Sequence, residues 1–138
     1  MMGDLAHDLF AKLDAIPQLA GRVGLSVGGH KADPGMASAP LPLAWALFKS
    51  TVNIDERLAG SATSSSINHV YRVFLVTAYE DQAGLIAETY PLVEACIKSI
   101  RGTTAPSGTK WRFENVELTQ INPDRLFHEI SFSINAHL

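Results

Sequence analysis

The spacing of apolar residues along the chain predicts two helices. In residues 4–16, apolar side chains recur every three to four positions, which is the period of one helix face, and Pro17 follows as a stop. Residues 85–101 repeat this pattern and end before Gly102, a residue suited to closing a helix. Pro91 lies within the first two turns of this longer helix, which predicts either a kink or a later start. The predicted apolar faces are Leu5, Leu9, Leu13 and Ile16, and Leu85, Thr89, Leu92, Val93, Cys96, Ile97 and Ile100.

Alternating and continuous apolar runs predict five strands. The strongest, residues 67–79, has apolar side chains at both odd and even positions, which indicates a central strand covered on both faces. The last two strands form a hairpin, and a change of phase in the first of them predicts a β-bulge near Glu114 and Asn115. The five predicted strands are residues 22–27, 43–49, 67–79, 111–121 and 126–138.

The predicted order of elements is α-β-β-β-α-β-β in a single domain, residues 1–138. This order is typical of an α+β fold in which a mainly antiparallel sheet of about five strands carries its helices on one face. Polar residues, glycines and prolines predict loops over residues 28–40 and 50–66. The second loop is long for a compact domain, and such loops are commonly functional or mobile.

Composition narrows the class of protein. The 138 residues are 46% hydrophobic and 18% charged, which fits one globular domain that needs no disulfide or metal to fold. The net charge is −3 and the lysines are scattered, whereas a nucleic-acid binder concentrates its basic residues. A basic lining built from several copies stays open as an alternative. The single cysteine and the lack of a signal sequence or an apolar run of about 20 residues predict a cytoplasmic protein without a membrane span.

No motif for catalysis, metal binding or cofactor binding is complete. Residues 24–28 match Gly-x-Ser-x-Gly, but Ser26 lies inside a predicted strand and no helix follows, so an ordinary strand is favoured. None of the five histidines has another three or four positions away, so a metal site would have to assemble from distant positions. Cys96 lies on a predicted buried helix face, which favours a core thiol over a nucleophile. We therefore predict no enzyme, no cofactor, and no catalytic, metal-binding or cofactor-binding residue.

Arg72 interrupts the apolar, even-numbered face of the central strand. An arginine near the exposed end of the strand is the favoured interpretation, because an unpaired arginine is seldom buried. An intersubunit salt bridge is the alternative.

Taken in order, the predicted elements form a pattern that spans nearly the whole chain. A short N-terminal helix and a first strand precede a Pro-flanked apolar strand over residues 40–47, and the polar loop 50–66 follows. A strong central strand over residues 70–76, the long helix 85–101 and a C-terminal hairpin complete it. This pattern resembles the tail terminator, or tail completion, proteins of long-tailed bacteriophages and prophages.

The resemblance implies a structural virion protein that forms a ring, typically a hexamer. The ring would cap the finished tail tube, end tube polymerisation and present a surface for head–tail joining. Its partners would be other copies of itself, the tail tube protein and the head–tail connector protein, with passive contact to DNA in the lumen and no membrane. The expected location is the virion tail, after synthesis in the cytoplasm of the bacterial host. The predicted partner-interface residues are Thr51, Asn53, Asp55, Glu56, Arg57 and Arg72.

Two other classes of protein stay open. One is another virion component, such as a tail tube or connector protein; tube proteins share the α+β character but polymerise without limit. The other is a small ligand-binding protein or enzyme, which would need a pocket with convergent polar groups, such as His69, His128 and a carboxylate.

Overall fold

Five strands and two main helices follow one another in the order that the sequence predicts. The computed structural model describes residues 2–24, 41–53, 66–78, 81–122 and 125–137. The elements are α1 (Met2–Asp14), a 3₁₀ turn (Pro17–Leu19), β1 (Val23–Gly24), β2 (Leu43–Asn53), β3 (Ser66–Ala78), α2 (Tyr90–Ile100), β4 (Arg112–Asn122) and β5 (Arg125–His137).

The third strand, β3, lies at the centre of a five-stranded sheet with the order β1-β2-β3-β5-β4. It pairs antiparallel with β2 on one side and, over its whole length, with β5 on the other. β4 pairs antiparallel with β5, and among the described strands β1 alone is parallel to its neighbour. The predicted α+β fold with a mainly antiparallel sheet is therefore confirmed.

The two helices pack on one face of this sheet and bury the main hydrophobic core. The stripe predicted for α1 is buried throughout, and from α2 the buried side chains include Leu92, Cys96 and Ile100. Each large apolar side chain removed from water contributes about 1.5–3 kcal/mol, so packing on the sheet holds both helices in place. The sheet contributes Ala44, Ala46, Tyr71, Val73, Leu75, Ile130, Phe132 and Ile134 to this core.

The longer helical segment begins earlier than predicted and contains a π-helical turn. A short α-helical turn, Gln82–Gly84, is capped by Asp81, whose carboxylate accepts a 2.8 Å hydrogen bond from the backbone N–H of Gly84. Leu85–Thr89 is π-helical, and α2 follows with Pro91 in its first turn. Proline lacks an N–H and crowds the preceding turn, which accounts for the π-helical hydrogen bonds between the short α-helical turn and α2. The segment is thus helical from Gln82 onward, so the later start predicted from Pro91 was wrong, and the π-helical turn lies directly before the proline.

The second strand is longer than the sequence predicts. Residues 50–53, predicted as part of a loop, continue β2 and pair with residues 67–70 of β3. A shift of register between Phe48 and Ser50 makes Lys49 a bulged residue at the point where the predicted strand ends. The prediction was wrong here because the bulge at Lys49 interrupts the alternation of side chains, although Thr51 and Val52 are residues that favour strands and the segment pairs with β3.

The hairpin strand β4 contains the predicted bulge. The register with β5 shifts between Phe113 and Asn115, and it shifts again between Leu118 and Gln120. Each shift inserts one residue, which explains why the apolar positions of β4 change phase. Of the predicted first strand, the described part forms only Val23–Gly24. Residues 25–27, the predicted loop 28–40 and the turn at 123–124 lie outside the described residues.

Candidate functional site

The sheet face opposite the helices is the first candidate surface, and we call it the open face. Among the described elements no helix packs on it, and its side chains alternate along β2, β3 and β5 with those of the core. A groove of about 350 Å³ runs along its middle. The groove is lined by Trp45, Leu47, Lys49, Arg72, Phe74, Thr119, Phe127 and Glu129, and it reaches the edge of the sheet at Phe48, where the register of β2 shifts.

One end of the open face is apolar. The rings of Trp45 and Phe74 stack with 5.5 Å between their centroids, and Val76 is fully buried beside them. Leu43 and Phe127 pack against this cluster from the two flanking strands. The sheet therefore buries part of its open face with its own side chains. This agrees with the apolar residues that occupy both odd and even positions of β3.

The middle of the open face carries an ion pair. A guanidinium nitrogen of Arg72 lies 3.2 Å from a carboxylate oxygen of Glu129 on β5. Arg72 is the seventh of the 13 residues of β3, so the interpretation that placed it near an exposed strand end was wrong. Its Nε is buried and has no hydrogen-bond partner in the described structure.

Of the predicted partner-interface residues, the structure describes the side chains of Thr51 and Arg72, which lie on opposite sides of the sheet. The hydroxyl of Thr51 and the Nδ1 of His69 are 2.9 Å apart on the helix-bearing side of the sheet, whereas Arg72 lies on the open face. The backbone of Asn53 ends β2. The predicted contact residues Asp55, Glu56 and Arg57 lie outside the described residues.

The two edges of the sheet carry exposed apolar side chains that the sequence analysis did not single out. On β4, Val116, Leu118 and Ile121 are 38%, 48% and 60% exposed, and on β2 Phe48 is 42% exposed. The register places the β4 residues opposite core positions of β5, and Phe48 opposite Tyr71, so all four lie on the helix-bearing side. The helices cover the middle of that side and leave its edges uncovered among the described residues.

The remaining candidate chemical groups are dispersed. His69 and His128 are buried on the helix-bearing side, and desolvation lowers the pKa of both. Their strand positions put them about 20 Å apart, so they form no joint site. Burial raises the pKa of the Cys96 thiol to about 12, which makes it a core thiol rather than a nucleophile at neutral pH. In the described part of the chain, no three His, Cys, Asp or Glu side chains cluster as a metal site would require, and Ser26 lies outside that part.

A second cavity, of about 290 Å³, lies between the 3₁₀ turn and the π-helical turn. Its polar lining includes Gln18, Thr77, Glu88 and Thr89. Neither His69 nor His128 lines this cavity. It is therefore not the histidine-lined pocket that a small enzyme would need.

Comparison with known proteins shows the fold. The chain is similar to a protein chain in the structure titled "Virion of native gene transfer agent (GTA) particle", with a TM-score of 0.63 and 15% sequence identity. The match covers 99% of this chain and 97% of that one. No protein-family model and no curated protein sequence matches the chain. Among the described helices, none has the length and apolar character needed to cross a membrane. At this identity the match establishes a shared fold over essentially the full length of both chains.

Proposed function

We propose that this chain is a structural protein of a phage-like virion and that it forms the ring that terminates the tail tube. The observation that carries the proposal is the full-length likeness to a chain of a gene transfer agent virion. A fold can serve unrelated functions, so the surface of this chain matters as well. That surface exposes apolar side chains at both edges of the sheet.

A ring explains the distribution of the exposed apolar residues. Exposed apolar side chains that cluster on one surface mark contacts with another protein. Phe48 lies at one edge of the sheet and Val116, Leu118 and Ile121 lie at the other, so contact surfaces are offered on two sides of the same molecule. Two different surfaces on one chain support a head-to-tail contact, which closes into a ring when the rotation between copies allows it.

The proposed partners follow from this role. Copies of the chain form the ring, most simply a hexamer. One rim meets the last tail tube subunits and stops their addition, and the other rim meets the head–tail connector protein. DNA passes through the lumen with passive contact only. The segment that follows β2, with Asp55, Glu56 and Arg57, is the proposed contact with the tube protein, next to Thr51 and Asn53 at the end of the strand.

The mass of the purified protein in solution tests this function. Light scattering and negative-stain images of one sample should show a closed ring, or a monomer that becomes a ring when tail tube protein is added. Added to polymerising tube protein, the chain should halt elongation and be found at tube ends. A stable monomer or dimer that ignores tube protein would refute the proposal, and open filaments of the chain alone would identify a tube protein instead.

A further inference from the structure

We propose that the outer edge of β4 in one copy pairs with the outer edge of β2 in the next copy, so that the sheet continues from subunit to subunit. This inference rests on the ring proposed above and identifies the surfaces that form it. The occupant of each edge is a second copy of this chain.

Within residues 2–24, 41–53, 66–78, 81–122 and 125–137, both edges have backbone groups without a strand partner. β4 has 11 residues and, among the described strands, is paired with β5 alone. At the opposite edge, β1 pairs only with Ala44 and Trp45, so residues 46–53 of β2 have no described strand on their outer side. An unpaired edge of this length is a template for another strand.

The apolar side chains at the two edges match each other. The four exposed large apolar residues of the described sheet are Phe48, Val116, Leu118 and Ile121, and all lie at an edge and on the helix-bearing side. When β4 of one copy pairs with β2 of the next, Phe48 joins the row formed by the β4 residues. Apolar pairs across adjacent strands stabilise a sheet, and the new contact would bury all four side chains.

The directions of the strands are compatible with this pairing. β2 and β5 run in one direction and β3 and β4 in the other, because each described neighbour from β2 to β4 is antiparallel. If the next copy keeps its helices on the same side of the sheet, its β2 is therefore antiparallel to β4. The subunit boundary would then have the same pairing geometry as the interior of the sheet.

Charge favours pairing of β4 with β2 over pairing of β4 with itself. The described β4 exposes Glu114 and Glu117 besides Arg112, and two antiparallel copies of β4 centred between the two glutamates would bring these carboxylates together. β2 instead exposes Lys49 at its bulge. Pairing of β4 with itself would also leave Phe48 uncovered, so only the head-to-tail contact accounts for the residues at both edges.

Lysine substitutions test the two edges separately. Val116→Lys with Leu118→Lys disables the β4 edge, Phe48→Lys disables the β2 edge, and Tyr90→Lys is the matched control because Tyr90 is 48% exposed on α2 rather than on the sheet. Light scattering should show the ring mass for the wild-type protein and for the control. Each edge variant alone should be a monomer, and circular dichroism and thermal melting establish that it is folded.

Mixing the two edge variants gives the decisive measurement. One variant keeps its β2 edge and the other keeps its β4 edge, so an equal mixture should form a dimer of twice the monomer mass and nothing larger. Rings from the Phe48→Lys variant, or a mixture that stays monomeric, would overturn the edge pairing.

The outcomes separate this inference from the proposed function. If wild-type protein and all variants form rings, the edge pairing is refuted and the ring stands. If wild-type protein forms open filaments that the edge variants abolish, the edge pairing stands and the terminator function is refuted. Wild-type protein that stays monomeric, alone and with tail tube protein, refutes both.

Discussion

The indole N–H of Trp111 donates a 2.8 Å hydrogen bond to the carboxylate of Asp8, and this contact ties α1 to the residue that precedes β4. The Trp111 ring is 1% exposed and meets Tyr71 edge-on, with 5.5 Å between the centroids. Asp8 also pairs with Lys12 one turn along the helix. The contact joins residues 103 positions apart, so it links the first helix to the C-terminal hairpin.

Replacing Trp111 by phenylalanine should lower the free energy of unfolding by about 1–3 kcal/mol. The change removes the hydrogen-bond donor and part of a buried ring, while the remaining ring keeps some of the contact with Tyr71. Urea denaturation followed by circular dichroism measures the loss. The Lys12→Ala variant is the control, because it removes only the ion pair to the same carboxylate and should cost about 1 kcal/mol or less. A Trp111→Phe protein as stable as the wild type would show that the hydrogen bond contributes nothing.

Stability should fall as the solution becomes mildly acidic. Burial lowers the pKa of His69 and His128 below the ordinary value of 6.5, so the unfolded chain takes up protons at a higher pH than the folded chain. The free energy of unfolding should therefore be fully retained above pH 6.5 and lost as the pH falls through 6.5 toward the lower folded-state pKa values. Urea denaturation from about pH 7.5 to about pH 5 covers this window, above the range where carboxylates titrate.

Variants assign this pH dependence to the two buried histidines. The double variant His69→Gln with His128→Gln should have a smaller slope of stability against pH than the wild-type protein. The matched control is His7→Gln, since His7 is exposed on α1. A double variant whose slope equals that of the control would show that other groups carry the acid sensitivity.

The fold was predictable where the pattern of side chains reports directly on the backbone. The bulge at Glu114 follows from the change of apolar phase between Phe113 and Val116, and the register of β4 with β5 confirms it. The extension of β2 through Thr51 was not predictable in this way. The bulge at Lys49 breaks the alternation there, so Thr51 and Val52 do not continue the pattern that marks residues 43–49, and only the pairing with β3 shows one strand.

The candidate surfaces were harder to predict than the fold because they depend on the order of strands in the sheet. Val116 and Leu118 look like ordinary apolar strand residues in the sequence. They become an exposed surface only because β5 inserts between β3 and β4 and leaves β4 at the edge. Likewise, the sequence grouped Thr51 with Arg72, and the register shows that the two side chains lie on opposite sides of the sheet.

Cys96 should be unreactive in the folded protein. Its side chain is fully buried, and burial raises the pKa of the thiol to about 12, so both access and thiolate formation are suppressed at neutral pH. A chromogenic disulfide reagent should label it only after denaturant is added. The Ser107→Cys variant, which places a second thiol on an exposed turn, should be labelled at that site without denaturant. Equal labelling rates for the two thiols in the native protein would mean that α2 opens readily.

The Arg72–Glu129 ion pair should contribute a measurable but modest coupling between β3 and β5. The two side chains are 32% and 18% exposed, so solvent weakens their attraction only in part. A double-mutant cycle with Arg72→Ala and Glu129→Ala should give a coupling free energy of about 0.5–1 kcal/mol, which should decrease as salt is added. Arg72→Ala alone should cost about 1–2 kcal/mol, because it leaves a partly buried carboxylate without its cation. A coupling of zero in monomeric protein, together with a positive coupling in the assembled ring, would mean that Arg72 pairs across the subunit boundary instead.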